Sequence, residues 1–130
     1  MSAASDYLEQ AILNHVLRGS AYTSPGTVYL ALFTAAPSDA GGGTEAAYSG
    51  YVRQAAAFSA PGATNGVSAN SATITFPAVA GSQITATHFA IFDASTGGNM
   101  LIHGALTASK VLDVNDVPSF PASSLSVTLG

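Results

Sequence analysis

Residues 5–18 carry the one stretch of this chain with a helical period. Leu8, Ile12 and Val16 follow i, i+4 spacing, and Leu13 with Leu17 widens the stripe. Ser5 stands where an N-cap is needed, Asp6 and Glu9 fall in the first turn, Arg18 in the last, and Gly19 at the position after the end. The spacing therefore predicts a helix over 5–18. An apolar stripe of this kind has to cover something, and the two choices are the chain's own sheet or a neighbouring subunit.

Beyond the helix the period changes to that of short strands cut by turn residues. Thr27–Thr34 is apolar on both faces, as a central or covered strand is. Residues 37–50 read as a glycine-rich loop around Gly41-Gly42-Gly43, and Val52–Phe58 as a strand built mostly from alanine. Ala72, Ile74 and Phe76 alternate with Thr73 and Thr75 up to Pro77. Ile84–Asp93 and Asn99–Leu106 flank Ala94–Gly98, which predicts a hairpin whose short loop has glycines for positive φ. Lys110–Val114 is a further short strand, and Leu125, Val127 and Leu129 alternate with Ser124, Ser126 and Thr128 in the last one. About seven short strands with turns between them predict a mainly β fold, an antiparallel β-sandwich over 27–129 with the N-terminal α-helix as a cap. A single domain over 1–130 is the natural division at this length, and no internal repeat is visible.

Composition then narrows the function. Only 8% of the 130 residues are charged, against about 25% in an ordinary soluble domain. Ala, Gly, Ser and Thr take the surface positions instead, which suits close packing against other subunits more than catalysis. Net charge is −4, and the three basic residues, Arg18, Arg53 and Lys110, are far apart in sequence. Nucleic-acid binding through phosphates needs a basic cluster and is excluded on that ground. There is no cysteine, hence no disulfide and no thiolate metal site. The amino terminus has acids where an export signal has Lys or Arg, and the most apolar run, Val28 to Phe33, is too short to cross a bilayer. Synthesis as a soluble chain, with no membrane insertion, is expected.

Candidate chemistry is sparse. His88 and His103 lie in the two arms of the hairpin and face one another if its loop is centred between Ser95 and Thr96. A metal would need two further ligands and a supporting shell, for which no spacing speaks. Asp113–Asp116 puts oxygen ligands close together but lacks the glycine and terminal glutamate of a calcium loop; a turn before Pro118 accounts for it. Gly41–Gly43 is followed by no Lys-Ser or Lys-Thr and opens no helix, so it is not a phosphate cradle. Tyr48-Ser49-Gly50 lacks the first glycine of a nucleophile elbow. No catalytic, cofactor-binding or metal residue is assigned, and no cofactor is expected. Tyr48 and Tyr51 flank the glycine loop. They are either an exposed aromatic contact patch or the groups that pack the loop onto the sandwich.

Longer blocks carry more. Asp6-Tyr-Leu-Glu9 with Leu13-Asn-His-Val-Leu17 leads to Val28-Tyr-Leu-Ala-Leu-Phe-Thr-Ala-Ala-Pro37, Asp39-Ala-Gly-Gly-Gly-Thr-Glu45 and Gly50-Tyr-Val-Arg-Gln54. Thr87-His-Phe-Ala-Ile-Phe-Asp93 then runs through Gly97-Gly-Asn-Met-Leu101 to Gly104-Ala-Leu106. Over nearly the whole chain this resembles a family of small proteins of tailed bacteriophages and prophages, usually labelled phage tail fibre proteins. The resemblance implies a non-enzymatic virion structural protein made in the host bacterial cytoplasm, and brings no catalytic residue with it. The partners implied are other virion proteins, of the tail or the major capsid protein, with a host surface receptor as a further one; the charge-poor surface adds a homo-oligomer. The chain has no heptads or collagen-like period, so a capsid decoration protein on the outer head is the alternative to a tail or fibre subunit. Two other classes are a receptor- or carbohydrate-binding module using Tyr48 and Tyr51, and a hydrolase using His88 or His103 beside a serine.

Overall fold

The cap residues decide where the helix begins and ends. In the computed structural model, which describes residues 2–129, α1 spans Asp6–Arg18. Ser5 is extended (φ −74°, ψ 159°) and its hydroxyl accepts the Leu8 N–H at 3.2 Å; Gly19 closes the other end at φ 67°, donating its N–H to Asn14. Ser5 is also 2% exposed. Its hydroxyl donates to the Met100 carbonyl and its N–H to that of Leu101 at 2.8 Å. The first turn of the helix is thus fixed to the sheet by one residue that serves as cap and anchor.

Ten strands are present among the described residues: β1 (Ser2–Ala4), β2 (Val28–Ala35), β3 (Thr44–Glu45), β4 (Gln54–Ala56), β5 (Ser68–Ala69), β6 (Ile74–Thr75), β7 (Ile84–Phe92), β8 (Met100–Leu112), β9 (Ser119–Phe120) and β10 (Ser126–Val127). The three long strands, β2, β7 and β8, are those with the most continuous apolar runs. They form the centre of a six-stranded antiparallel sheet in the order β1-β8-β7-β2-β3. The outer edge of β2 is shared: β4 pairs with Val28–Leu30, and β3 with Phe33 and Ala35.

Alternation places two different clusters on the two faces of this sheet. Leu30, Leu32, Phe89 and Ile91 point into the main core, where they meet Phe76, Val79, Leu125 and Val127. Ala31, Phe33, Ala90 and Met100 form a smaller cluster with Phe92. The layer over the main core consists of two two-stranded ladders, β5–β10 and β6–β9, with the loops between them.

The molecule is mainly β with an N-terminal helix, as its patterning predicts. Its strands are more numerous and shorter than the roughly seven expected, because Pro77, Pro118 and Pro121 cut the second layer into two-residue pieces. Buried Asn70, 1% exposed, fastens those pieces together. The strand expected separately at 110–114 is instead the far end of β8. A bulge precedes it, since Ala86 pairs with Lys110 while His88 pairs with Ala105.

Candidate interaction surfaces

The gap on the outer edge of β2 explains Tyr51. Leu32 lies between the stretches paired by β4 and β3, and its buried N–H has no strand partner. The Tyr51 hydroxyl fills the gap, accepting that N–H at 3.1 Å and donating to Glu45 Oε2 at 2.7 Å. Glu45 in turn takes a two-pronged grip from Arg53, Nε to Oε2 and Nη2 to Oε1, both 2.9 Å. The Arg53 guanidinium lies 3.6 Å over the Phe92 ring and its Nη1 donates to the carbonyls of Ala94 (3.0 Å) and Gly97 (2.8 Å) in the β7–β8 loop. One arginine therefore ties three segments of the molecule.

Tyr48 and Tyr51 do not stand out as free aromatic platforms. Tyr48 is 7% exposed, its hydroxyl donates to the Pro77 carbonyl at 2.6 Å, and its ring meets Tyr51 edge-on. Tyr51 stacks on Phe76. Packing the loop onto the core is what the rings do. The surface they leave is part of a shallow cleft shared with Glu45, Arg53 and Ser95–Gly97.

Burial, and then the hydrogen bond to Glu45, raise the Tyr51 phenol well above its usual value of 10.0. The folded state keeps this group neutral, so its contribution is fully present below pH 10 and is lost as pH rises beyond it. Tyr51→Phe leaves the Leu32 N–H unpaired and should cost about 1–2 kcal/mol at neutral pH. The difference from wild type should shrink in denaturant titrations carried above pH 10, where the wild type loses its phenol's contribution.

The histidines do not face each other. The hairpin register pairs Ala90 with His103 and His88 with Ala105, so the two imidazoles sit two residues out of line. A bulge between Ile91 and Phe92 shifts the register and overturns the symmetric loop expected from sequence. His88 Nδ1 is 2.8 Å from Thr87 Oγ1, and His103 Nε2 is 2.7 Å from Asp39 Oδ1. Among the described residues neither ring is hydrogen-bonded to a serine, and no group of three or more His, Asp and Glu is placed to hold a metal.

The glycine loop is moulded by the chain itself. Gly41, Gly42 and Gly43 all have positive φ (99°, 80° and 74°), and a Cβ on Gly43 would sit 2.7 Å from the Pro37 nitrogen. The path they allow carries Asp39 to His103, and the Asp39 carbonyl to the Asp6 N–H at the helix start (2.9 Å). Asp113 and Asp116 close a turn through the Asp113 N–H and an Asp116 carboxylate oxygen at 2.9 Å.

Several large apolar side chains remain exposed, Leu13, Val16 and Leu17 of α1 among them. The helix stripe read from the sequence is only partly used: Leu8 is buried with Ala4 and Leu101, and Ile12 packs beside them. Leu13, Val16 and Leu17 are 56%, 68% and 75% exposed. The helix is tethered to the sheet at its first turn, through Ser5 and Leu8. Among the described residues no helix is long and apolar enough to cross a membrane. A second open surface is a groove of about 550 Å3 between the distal half of β8 and the 117–126 segment.

A mainly β scaffold with the later turns of its N-terminal helix left exposed defines a small structural module. The chain belongs to the family described as podophage GP4 fiber I protein gp80, whose model matches residues 3–128. The resemblance drawn from its sequence blocks thus holds, and the family gives the chain a structural role in the phage virion. No curated protein matches it.

Proposed function

We propose that the chain is a non-enzymatic subunit of the tail or fibre apparatus, present in many copies and held to other virion proteins and to itself by apolar contact. The observation that carries this reading is the exposed Leu13–Val16–Leu17 face of α1. With so few charged groups, little repulsion opposes close approach of neighbouring copies.

Labelling the protein in intact particles and imaging them by electron microscopy tests the location. Signal on the tail or its fibres is the expected result; signal spread over the head would instead favour the decoration alternative. A receptor-binding role through Tyr48 and Tyr51 is the second reading, supported by the shallow cleft they share with Arg53. Because both hydroxyls are engaged inside the chain, such a ligand would meet ring edges. A glycan array without signal would count against it.

A further inference from the structure

We infer that copies of this chain join head to tail, the exposed face of α1 in one copy seating in the groove beside β8 of the next. This rests on the multi-copy reading above and specifies its contact.

Both surfaces are unpartnered in the same molecule and differ in shape. The helix offers a convex ridge of Leu13, Val16 and Leu17. The groove is concave and mixed, with Leu106, Leu112, Phe120 and Leu125 among its walls, exposed Val117 lining it, and Thr107, Ser119, Ser124 and Ser126 between them. A helix presenting i, i+3 and i+4 anchors to an apolar groove is a recurrent mode of recognition.

Their charges are complementary as well. Glu9 precedes Leu13 by four residues and Val16 by seven, so it lies on the same helix face, and it is exposed. Lys110 lines the groove. Of the three basic residues, Arg18 bonds Asn14 and Arg53 is held by Glu45, whereas Lys110 makes no ion pair among the described residues.

The two surfaces also lie at opposite ends of the longest strand. Leu101, at the start of β8, carries the helix, and the groove is bordered by β8 from Ala105 to Leu112. Made in one direction, from the ridge of one copy to the groove of the next, such a contact does not close on a pair. It propagates into a ring or a filament, a geometry suited to a repeated part of a particle.

Sedimentation across a concentration series tests this with two sets of variants. Wild type should form species that grow with concentration. Leu13→Ser with Leu17→Ser removes the ridge, and Lys110→Glu with Val117→Asp blocks the groove; each should weaken association by at least about tenfold. Melting curves should match wild type, since these side chains are exposed. Mixed in equal amounts, the two variants should form a heterodimer and stop there, because each supplies the one intact surface the other lacks.

Glu9→Lys and Lys110→Glu, which leave the core untouched, should each weaken self-association and restore it when combined in one chain. A groove variant that self-associates as well as wild type would overturn the inference in favour of symmetric helix pairing. A monomeric wild type would overturn it too. Neither result bears on the virion role, which detection of the protein in purified particles decides separately.

Discussion

Asn70→Ala is expected to lower stability by roughly 3–4 kcal/mol, the largest effect of any single polar substitution in this molecule. The side chain is 1% exposed. Its Nδ2 donates to the carbonyls of Ala72 (3.0 Å), Phe120 (3.3 Å) and Pro121 (2.9 Å), and its Oδ1 accepts the Leu125 N–H at 2.9 Å. Its backbone adds two more bonds, donating to Leu125 and accepting from Ser123. Asn70 thus substitutes for the sheet hydrogen bonds that the two short ladders are too short to make.

Truncation removes the amide and leaves buried carbonyls and an N–H without partners in a space too tight to admit bulk water. For a chain of this size the midpoint of thermal unfolding should fall by roughly 10 °C or more. Asn70→Asp probes the same site from another side. A carboxylate there would face three carbonyl oxygens, so its folded-state pKa would be raised, and the variant's stability should be best in acid and decline as pH rises. Equal melting of Asn70→Ala and wild type would mean that the ladders hold without their tie.

Arg53→Ala is expected to cost about 2–4 kcal/mol. The Arg53 side chain is 9% exposed and that of Glu45 26%, so solvent screens the pair only partly. Removing the guanidinium leaves the Glu45 carboxylate with the Tyr51 hydroxyl alone, takes a cation from the Phe92 face and frees the carbonyls of Ala94 and Gly97. Arg53→Lys keeps the charge and loses the planar fork, so it should recover little of the loss. The loop between β7 and β8 should report the change locally. Amide exchange at residues 94–98 should speed up in Arg53→Ala by more than global destabilisation accounts for. A denaturation midpoint within error of wild type would contradict the role given to this arginine.

These two sites mark the limit of what the sequence reveals. The helix was legible because its signals are local: Ser5, Asp6, Glu9, Arg18 and Gly19 lie within one short segment, and each acts on its neighbours. The β7–β8 hairpin was legible for the same reason, although its register was not, because bulges break the alternation. Met100 and Ile102 serve different clusters, and the core-facing positions of β7 pass from Ile84 and Ala86 to Phe89 and Ile91. Asn70 follows Ser68-Ala69 with no local signal to mark it, and its partners Phe120, Pro121 and Leu125 lie about fifty residues away.

Glu45 and Arg53 are eight residues apart, across Tyr48 and Tyr51. Nothing in that spacing says that the edge of β2 would need a phenol to complete it. The aromatic pair stands out in the sequence only by its position; the edge gap turns Tyr51 inward, and the Pro77 carbonyl holds Tyr48 beside it. The apolar stripe of α1 was visible at once, but which part of it the sheet would cover depends on the Ser5 anchor, a tertiary contact.

The exposed stripe also separates stability from assembly. Arg53→Ala should lower the melting point and leave the ridge and groove in place, whereas substitutions at Leu13 and Leu17 should change only association. Asn70 holds Phe120 and Leu125 in the groove wall, so Asn70→Ala should affect both. The central claim, that the chain is a repeated building block of the virion, is tested most directly by counting it. Quantitative peptide mass spectrometry on purified phage particles should find this chain in many copies relative to a single-copy virion component; its absence from the particles would contradict the account.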